Sequence, residues 1–294
     1  MAADDASETP PPEEIRSRVE PLFDAPVTDL TELDGGFVGT VYRLSVAGRD
    51  PVVAKVGATP LTVEAEMLRY LAAESSLPVP EVFHAEDDLL VMAYVEGDDD
   101  PTFGPELQRA VADHLAALHD VTAEAFGFPR DTLSGPYRQP NPWTDSWVEF
   151  YRDHRLRHCA DEAVAEGSLP ASYRRRIEAF AEEIDAVLSE PAAPALVHGD
   201  VWEANLVVSG DDVRAFLDPA LYYGHPEVEL AYVAGTEAFE DPFFDRYRER
   251  RGIDAGFFEK RRPAYRLYPV LEHVRVFGDR YLSDLDETLS RLGY

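Results

Sequence analysis

The sequence predicts an α+β chain of two lobes, the first a small antiparallel β-sheet with a helix and the second mostly helical. Three observations carry that reading. A chain of 294 residues is long for one compact core. Short β-rich runs separated by turns fill the first hundred residues. Beyond "EGDDDPTFGP" helical periodicity takes over, and strands return only at "ALVHGD", "EANLVV" and "VRAFLD". The boundary is expected near residue 97, which gives an acidic, disordered stretch over 1–13, an N-lobe over 14–96 and a helical C-lobe over 97–294.

In order, "PPEEIRSRVEPLF" reads as a short helix with proline and acids in its first turn. "FVGTVYRLSVAG" and "DPVVAKVG" form a hairpin about the turn "AGRD", with Lys55 on the second strand. "TPLTVEAEMLRYLAAESS" has a Thr-Pro start and apolar Leu61, Leu68 and Leu71 at helical spacing, and "PVPEVFHAEDDLLVMAYVEG" supplies two further strands. The C-lobe helices are "PELQRAVADHLAALHDV", "TDSWVEFYRDHRLRHCADEA", "ASYRRRIEAFAEEIDAVL" and the segments from Pro226 onward.

Composition excludes several functions. The chain has 57 acidic and 27 basic residues, a formal charge of −30, and only two lysines, Lys55 and Lys260. Nucleic acid and anionic membranes are therefore not expected partners. Such a carboxylate surface, with arginine in place of lysine, points to a halophilic protein whose self-repulsion is screened by salt. Apolar runs fall far short of the roughly 20 residues that span a bilayer, and "MAADDASETPPPEE" lacks the basic-then-apolar order of a signal peptide, so a cytoplasmic location is expected. Cys159 is the only cysteine, read as a buried thiol, which rules out an intramolecular disulfide.

The chemistry concentrates in "LVHGDVWEANLVVSGDDVRAFLDPALYYGHPE". Asp200, Asn205 and Asp218 are oxygen-bearing side chains at the ends of apolar strands, separated by a turn. Mg²⁺ takes carboxylate, amide oxygen, water and substrate phosphates, so two protein ligands suffice when a nucleotide brings the rest. Asn205 and Asp218 would hold the metal, and Asp200 would orient an attacking hydroxyl and accept its proton. Singly, each is also ordinary turn chemistry.

Two residues far upstream support the set. Lys55 lies in the apolar strand "VVAKV", where an unpaired ammonium is costly. Glu64, nine residues on, shares a helix face with Leu61, Leu68 and Leu71 and can reach back to it, whereas Glu66 lies about 200° around the helix. A Lys–Glu pair of this kind positions nucleotide phosphates. Before the lysine strand, Gly35, Gly36 and Gly39 offer backbone amides to phosphate. At the end of "LLVMAYVEG", backbone groups of Ala93 and Val95 could meet an adenine edge.

"VAKV", "VEAEMLRYL", "LVMAYVEG", "HGDVWEAN" and "LDPA" together resemble the protein-kinase-like small-molecule kinases, which include aminoglycoside phosphotransferases and choline kinases. "QPNPWTDSWVEFYRDHRL", "HGDVWEANLVV", "DPALYYGHPEVELAYV" and "LYPVLEHVRVFGDRYL" narrow the resemblance to the fructosamine kinase (ketosamine 3-kinase) family, over about residues 27–285. It implies a bilobal protein-kinase-like fold and transfer of phosphate from ATP, with Mg²⁺, to the 3-hydroxyl of a ketosamine. Phosphate beside the C2 carbonyl then leaves by β-elimination and frees the amine. On matched positions it implies Lys55 and Glu64 as the phosphate-positioning pair, Asp200 as base, and Asn205 and Asp218 as Mg²⁺ ligands. Asn141, Trp143 and Trp202 fall in regions that line the sugar pocket. Tyr222, Tyr223 and His225 either touch substrate or pack the turn.

The glycine turn carries no cysteine, so the interchain disulfide of some relatives is not expected and the chain is taken as a monomer. Glu229 stands where the family usually has aspartate and is read as structural. His198 is read as holding the loop, Trp147 as core and Lys260 as surface. Two other readings stay open: a kinase of the aminoglycoside or choline type, and a nucleotide-binding regulator without catalysis.

Overall fold

The computed structural model describes residues 11–33 and 39–294. Residues 1–10, within the stretch expected to be disordered, lie outside the described residues, as do Gly35 and Gly36. The chain divides into two compact units. One comprises the described chain up to Thr102 with Leu133–Tyr137 and Ala204–Pro219, and the other comprises Phe103–Thr132, Arg138–Glu203 and Ala220–Tyr294. The first unit thus takes in Ala204–Pro219, which chain order alone placed in the C-lobe.

The first unit begins with α1 (Pro12–Phe23), which starts inside the 1–13 stretch because Pro12 and the acids Glu13 and Glu14 suit a first helical turn. β1 (Val27–Leu33), β2 (Gly39–Val46), β3 (Val52–Gly57), α2 (Leu61–Glu74), β4 (Val82–Glu86) and β5 (Leu89–Ala93) follow. The strands form one antiparallel sheet in the order β1-β2-β3-β5-β4.

Strand alternation sorts β3 between two cores. Val52, Ala54 and Val56 face Ile15 and Val19 of α1, with Leu44, Leu89 and Val91. Val53 faces Leu61, Ala65 and Leu68 of α2, with Leu90 and Met92. Because the period is two, Lys55 shares the α2 side with Val53. β1 was not foreseen; its burial pattern is mostly exposed, so an apolar signal is nearly absent.

Two further strands, β9 (Leu206–Ser209) and β10 (Asp212–Phe216), pair as a hairpin in the same unit. The hairpin is tied to the unit by amides. Phe216 N–H donates to Pro78 O at 2.8 Å, Asp98 N–H to Val208 O at 2.8 Å, and Gly210 N–H to the Asp98 carboxylate at 2.7 Å.

The second unit is helical. α3 (Pro105–Leu118) packs on α8 (Asp241–Arg251), and α9 (Arg262–Phe277) packs on α7 (Pro226–Val233) and α10 (Leu282–Leu292). α6 (Ala171–Glu182) completes the bundle. "TDSWVEFYRDHRLRHCADEA", expected as one helix, is α4 (Trp147–Tyr151), a π-helical turn over Arg152–Arg157 and α5 (His158–Ala165). That wide turn carries Arg155, fully buried, whose guanidinium donates to Pro140 O and to Asn141 Oδ1.

β8 (Ala195–Val197) pairs with β11 (Tyr222–Gly224), and β6 (Thr132–Ser134) with β7 (Tyr137–Gln139). β6, β7 and β11 were not foreseen, since three residues are too few to display a period of two. Among the described residues, no helix is long and apolar enough to cross a membrane. Cys159 is buried, and burial pushes its thiol up.

Candidate active site

One cluster holds Lys55, Glu64 and Asp218, and another holds Asp200. In the first unit the Lys55 ammonium donates to Glu64 Oε2 at 2.7 Å and to Asp218 Oδ1 at 2.6 Å. Lys55 and Glu64 are both buried, at 8% exposure each, whereas the Asp218 side chain is 48% exposed. Burial opposes the charge on Lys55, but the two carboxylates outweigh it and push the ammonium up, so it stays protonated. Burial pushes the Glu64 carboxyl up to about 7, against the pull of Lys55. Glu64 Oε1 is buried without a hydrogen-bond partner among the described residues. The half-buried Glu66 is not a partner of Lys55.

Asp218 has φ 52°, a left-handed conformation uncommon outside glycine. Such strain concentrates where the surrounding fold fixes a side chain for a task. Asn205, buried, sits one residue before β9, and its carbonyl accepts from Leu217 N–H at 2.9 Å. That bond ties the residue before Asp218 to Asn205. Among the described residues, no cluster of three or more His, Cys, Asp or Glu could enclose a metal. One carboxylate and one amide oxygen in this unit fit a hard cation that completes its shell with phosphate and water.

In the second unit, the loop His198–Asp200 is held from below by α7. Glu229 accepts from the backbone amides of Gly199, at 2.7 Å, and His198, at 3.3 Å, and from His119 Nε2, at 2.8 Å. Burial opposes its charge, yet these partners hold its carboxyl below the usual range. His119, fully buried, also meets Tyr247 Oη through Nδ1 at 2.7 Å. One turn further along α7, Tyr232 Oη donates to Asp200 Oδ1 at 2.5 Å. Gly199 has φ 86°, and a Cβ there would lie 2.4 Å from Ala220 O, so only glycine fits. Tyr232, His119 and Tyr247 escaped the sequence reading. The available signal was the i, i+3 spacing of Glu229 and Tyr232.

The expected acceptor residues separate by burial. Trp143 is 48% and Trp202 38% exposed, and these two are the exposed large aromatics among the described residues. Trp143, with Arg130, Asp131, Arg138 and His154, lines a pocket of about 440 Å³ in the second unit. Asn141 also borders it, but its side chain is buried. Its Oδ1 accepts from Arg155 at 2.6 Å and its Nδ2 donates to Thr132 Oγ1 at 2.7 Å, so its polar atoms serve the scaffold.

Tyr222 and His225, read as touching substrate or packing the turn, are both packed in the structure. The Tyr222 ring is 2% exposed, stacked on Phe150 and lying 4.1 Å from the Arg155 guanidinium. His225, between the rings of Trp147 and Tyr265, accepts from Glu227 N–H at 3.1 Å and so caps α7. Tyr223 is buried as well, and Trp147 is fully buried core.

Two nucleotide-side residues also have scaffold duties. A Cβ on Gly39 would lie 2.3 Å from Val56 O, so glycine is required there by the approach of β3. The Ala93 N–H donates to Glu81 O at 2.8 Å, which removes it as a donor to a base. Val95, past the end of β5, has no such bond among the described residues.

A five-stranded antiparallel sheet with a buried Lys–Glu pair, joined in sequence to a helical unit bearing an HGD loop, defines a kinase-like phosphotransferase. A thermostable aminoglycoside phosphotransferase in ternary complex with AMP-PNP and hygromycin B shares this fold, with a TM-score of 0.66 at 19% identity over 95% of this chain and 96% of that one.

The family is set by closer matches, and the chain belongs to it. The fructosamine kinase family model matches residues 15–293. "Probable ketoamine kinase YniA" of Escherichia coli K12 is 30% identical over 289 residues, 93% of this chain and 96% of that protein. "Probable ketoamine kinase slr1563" of Synechocystis is 33% identical over 78% of this chain and 77% of that protein. The crystal structure of a candidate fructosamine-3-kinase from Thermobifida fusca has a TM-score of 0.84 at 30% identity, over 95% of this chain and 98% of that one. The chain is thus an enzyme that transfers phosphate to an alcohol group.

Proposed function

We propose that the enzyme transfers the γ-phosphoryl group of ATP, with Mg²⁺, to the 3-hydroxyl of a ketosamine, a ribulosamine, erythrulosamine or fructosamine adduct. The observation that carries this reading is the Lys55 ammonium held between Glu64 and Asp218, a residue 163 positions away. A buried ammonium shared by two carboxylates is costly to assemble and is kept where phosphate must be positioned.

The roles follow from the chemistry of each group. Lys55 binds nucleotide phosphates and Glu64 fixes the ammonium. Asn205 and Asp218 hold Mg²⁺, which when bound neutralises charge on the phosphates. Asp200 orients the acceptor hydroxyl and takes its proton as the oxygen bonds to phosphorus. Trp143 and Trp202 offer exposed aromatic surface that suits a sugar-amine adduct. The acceptor class is supported by a relative named protein-ribulosamine 3-kinase from Arabidopsis thaliana, 33% identical over 60% of this chain and 54% of that protein. A 3-phosphate next to the C2 carbonyl leaves by β-elimination, which gives the enzyme a part in releasing sugar from amines.

The test is transfer of labelled phosphate from ATP to a panel of ribulosamine, erythrulosamine and fructosamine acceptors in molar salt. Turnover is expected with wild type and loss of at least about 10²-fold with Asp200→Asn. Nucleotide binding should persist in that variant. Turnover on aminoglycosides or choline, with none on any ketosamine, would assign the acceptor to another alcohol. Bound ATP without transfer to anything would favour a regulator.

A further inference from the structure

We propose that Tyr232 is a positioning residue for Asp200, its hydroxyl fixing the rotation of the carboxylate that meets the acceptor hydroxyl. This rests on the reading of Asp200 as the base. Tyr232 Oη lies 2.5 Å from Asp200 Oδ1, a length typical of a charge-assisted O–H···O⁻ bond.

The bond belongs to a two-point clamp on one helix. Glu229 and Tyr232 are three residues apart on α7 and so share a face. Glu229 takes the backbone amides of His198 and Gly199, which sets the height of the loop. Tyr232 takes the Asp200 side chain, which sets its rotation. α7 is itself fixed at its start by the His225 cap and by Arg261, whose guanidinium grips Glu227 with two bonds of 2.6 Å.

The polarity of the bond is determined by burial. Burial, then the charge of Asp200, pushes the Tyr232 phenol well above ordinary tyrosine, so it keeps its proton and donates to the ionised Asp200. Glu203 and Glu272 are the other charges that bear on the phenol, and both act in the same direction. On the loop side, His198 is the titratable neighbour, and its Nδ1 accepts from Asp200 N–H at 3.3 Å. A carboxylate that accepts such a bond is stabilised in its ionised form and restrained in χ rotation.

The experiment is steady-state kinetics of Tyr232→Phe, which removes one oxygen and keeps the ring. The expected result is a fall in kcat of about 10- to 100-fold, the size of one hydrogen bond to a charged group. The KM for ATP and acceptor should stay within about twofold, because the phenol's hydrogen bond goes to Asp200. The acid limb of the kcat/KM profile should move to higher pH, since Asp200 loses a donor that favours its ionised form.

A kcat within about twofold of wild type with an unmoved acid limb overturns the proposal, as does a loss that appears in KM alone. Should Tyr232→Phe not fold, 3-fluorotyrosine at position 232 keeps the shape and strengthens the donor. The limb should then move to lower pH, and an unmoved limb overturns the proposal. Asp200→Asn in parallel separates the two claims: if it keeps wild-type turnover, the reading of Asp200 fails whatever Tyr232→Phe does.

Discussion

Lys55 shows how far a single residue can be read. With two lysines in the chain, one on an apolar strand needs a partner, and strand alternation points it at α2, where Glu64 is the carboxylate on the facing side. Its second partner, Asp218, was out of reach, because a contact 163 residues apart leaves no local pattern. Lys55→Met should lower kcat/KM for ATP by about 10²-fold or more in a coupled assay. The fold should survive, since Glu64, already pushed up to about 7 by burial, can take a proton in place of its lost partner. A kcat/KM within about threefold of wild type would remove Lys55 from phosphate binding. Asn141 and Tyr222 are the opposite case. Their place beside motif residues suggested ligand contact, and only the position of the buried Arg155 turned both into scaffold.

At the scale of elements, α7 holds the His198–Asp200 loop through Glu229 and Tyr232, and its N-terminus depends on a neutral histidine. Burial, with Arg261 nearby, pushes His225 down to about 3 from an ordinary 6.5. The sign follows directly. Between those values the unfolded chain binds a proton that the folded chain refuses, so stability is full above about pH 6.5 and is lost as pH falls toward 3. The contribution is about 1.4 kcal/mol per pH unit in that window. His225→Asn keeps an acceptor for Glu227 N–H and removes the titration. Denaturant unfolding from pH 7 to pH 4.5 should therefore show a shallower stability loss in the variant, and equal slopes would mean His225 does not titrate this way. Long elements such as α2 and α3 were legible from periodicity. The three-residue strands and the π-helical turn were not, because pairing partners and the buried Arg155 define them.

For the whole molecule, the net charge of −30 dominates. Many of the arginines are drawn into carboxylate pairs, as Arg174 is between Asp161 and Glu178 and Arg246 between Asp113 and Glu249. Exposed pairs of this kind are worth little and weaken with salt. The uncompensated carboxylates act the other way, because screening relieves their repulsion in the compact state. The larger effect should win, so Tm should rise by several degrees between 0.1 and 2 M KCl, and a flat or falling Tm would refute a high-salt adaptation. The sequence alone determined the α+β class through periodicity and turn residues, and its short motifs carried the resemblance to the kinase family, since both are local in the chain. The tertiary structure decided that Asp218 reaches Lys55, that Glu229 and Tyr232 clamp the Asp200 loop, and that Tyr222 and His225 are core. Those outcomes depend on burial and on contacts between distant segments, which no local pattern encodes.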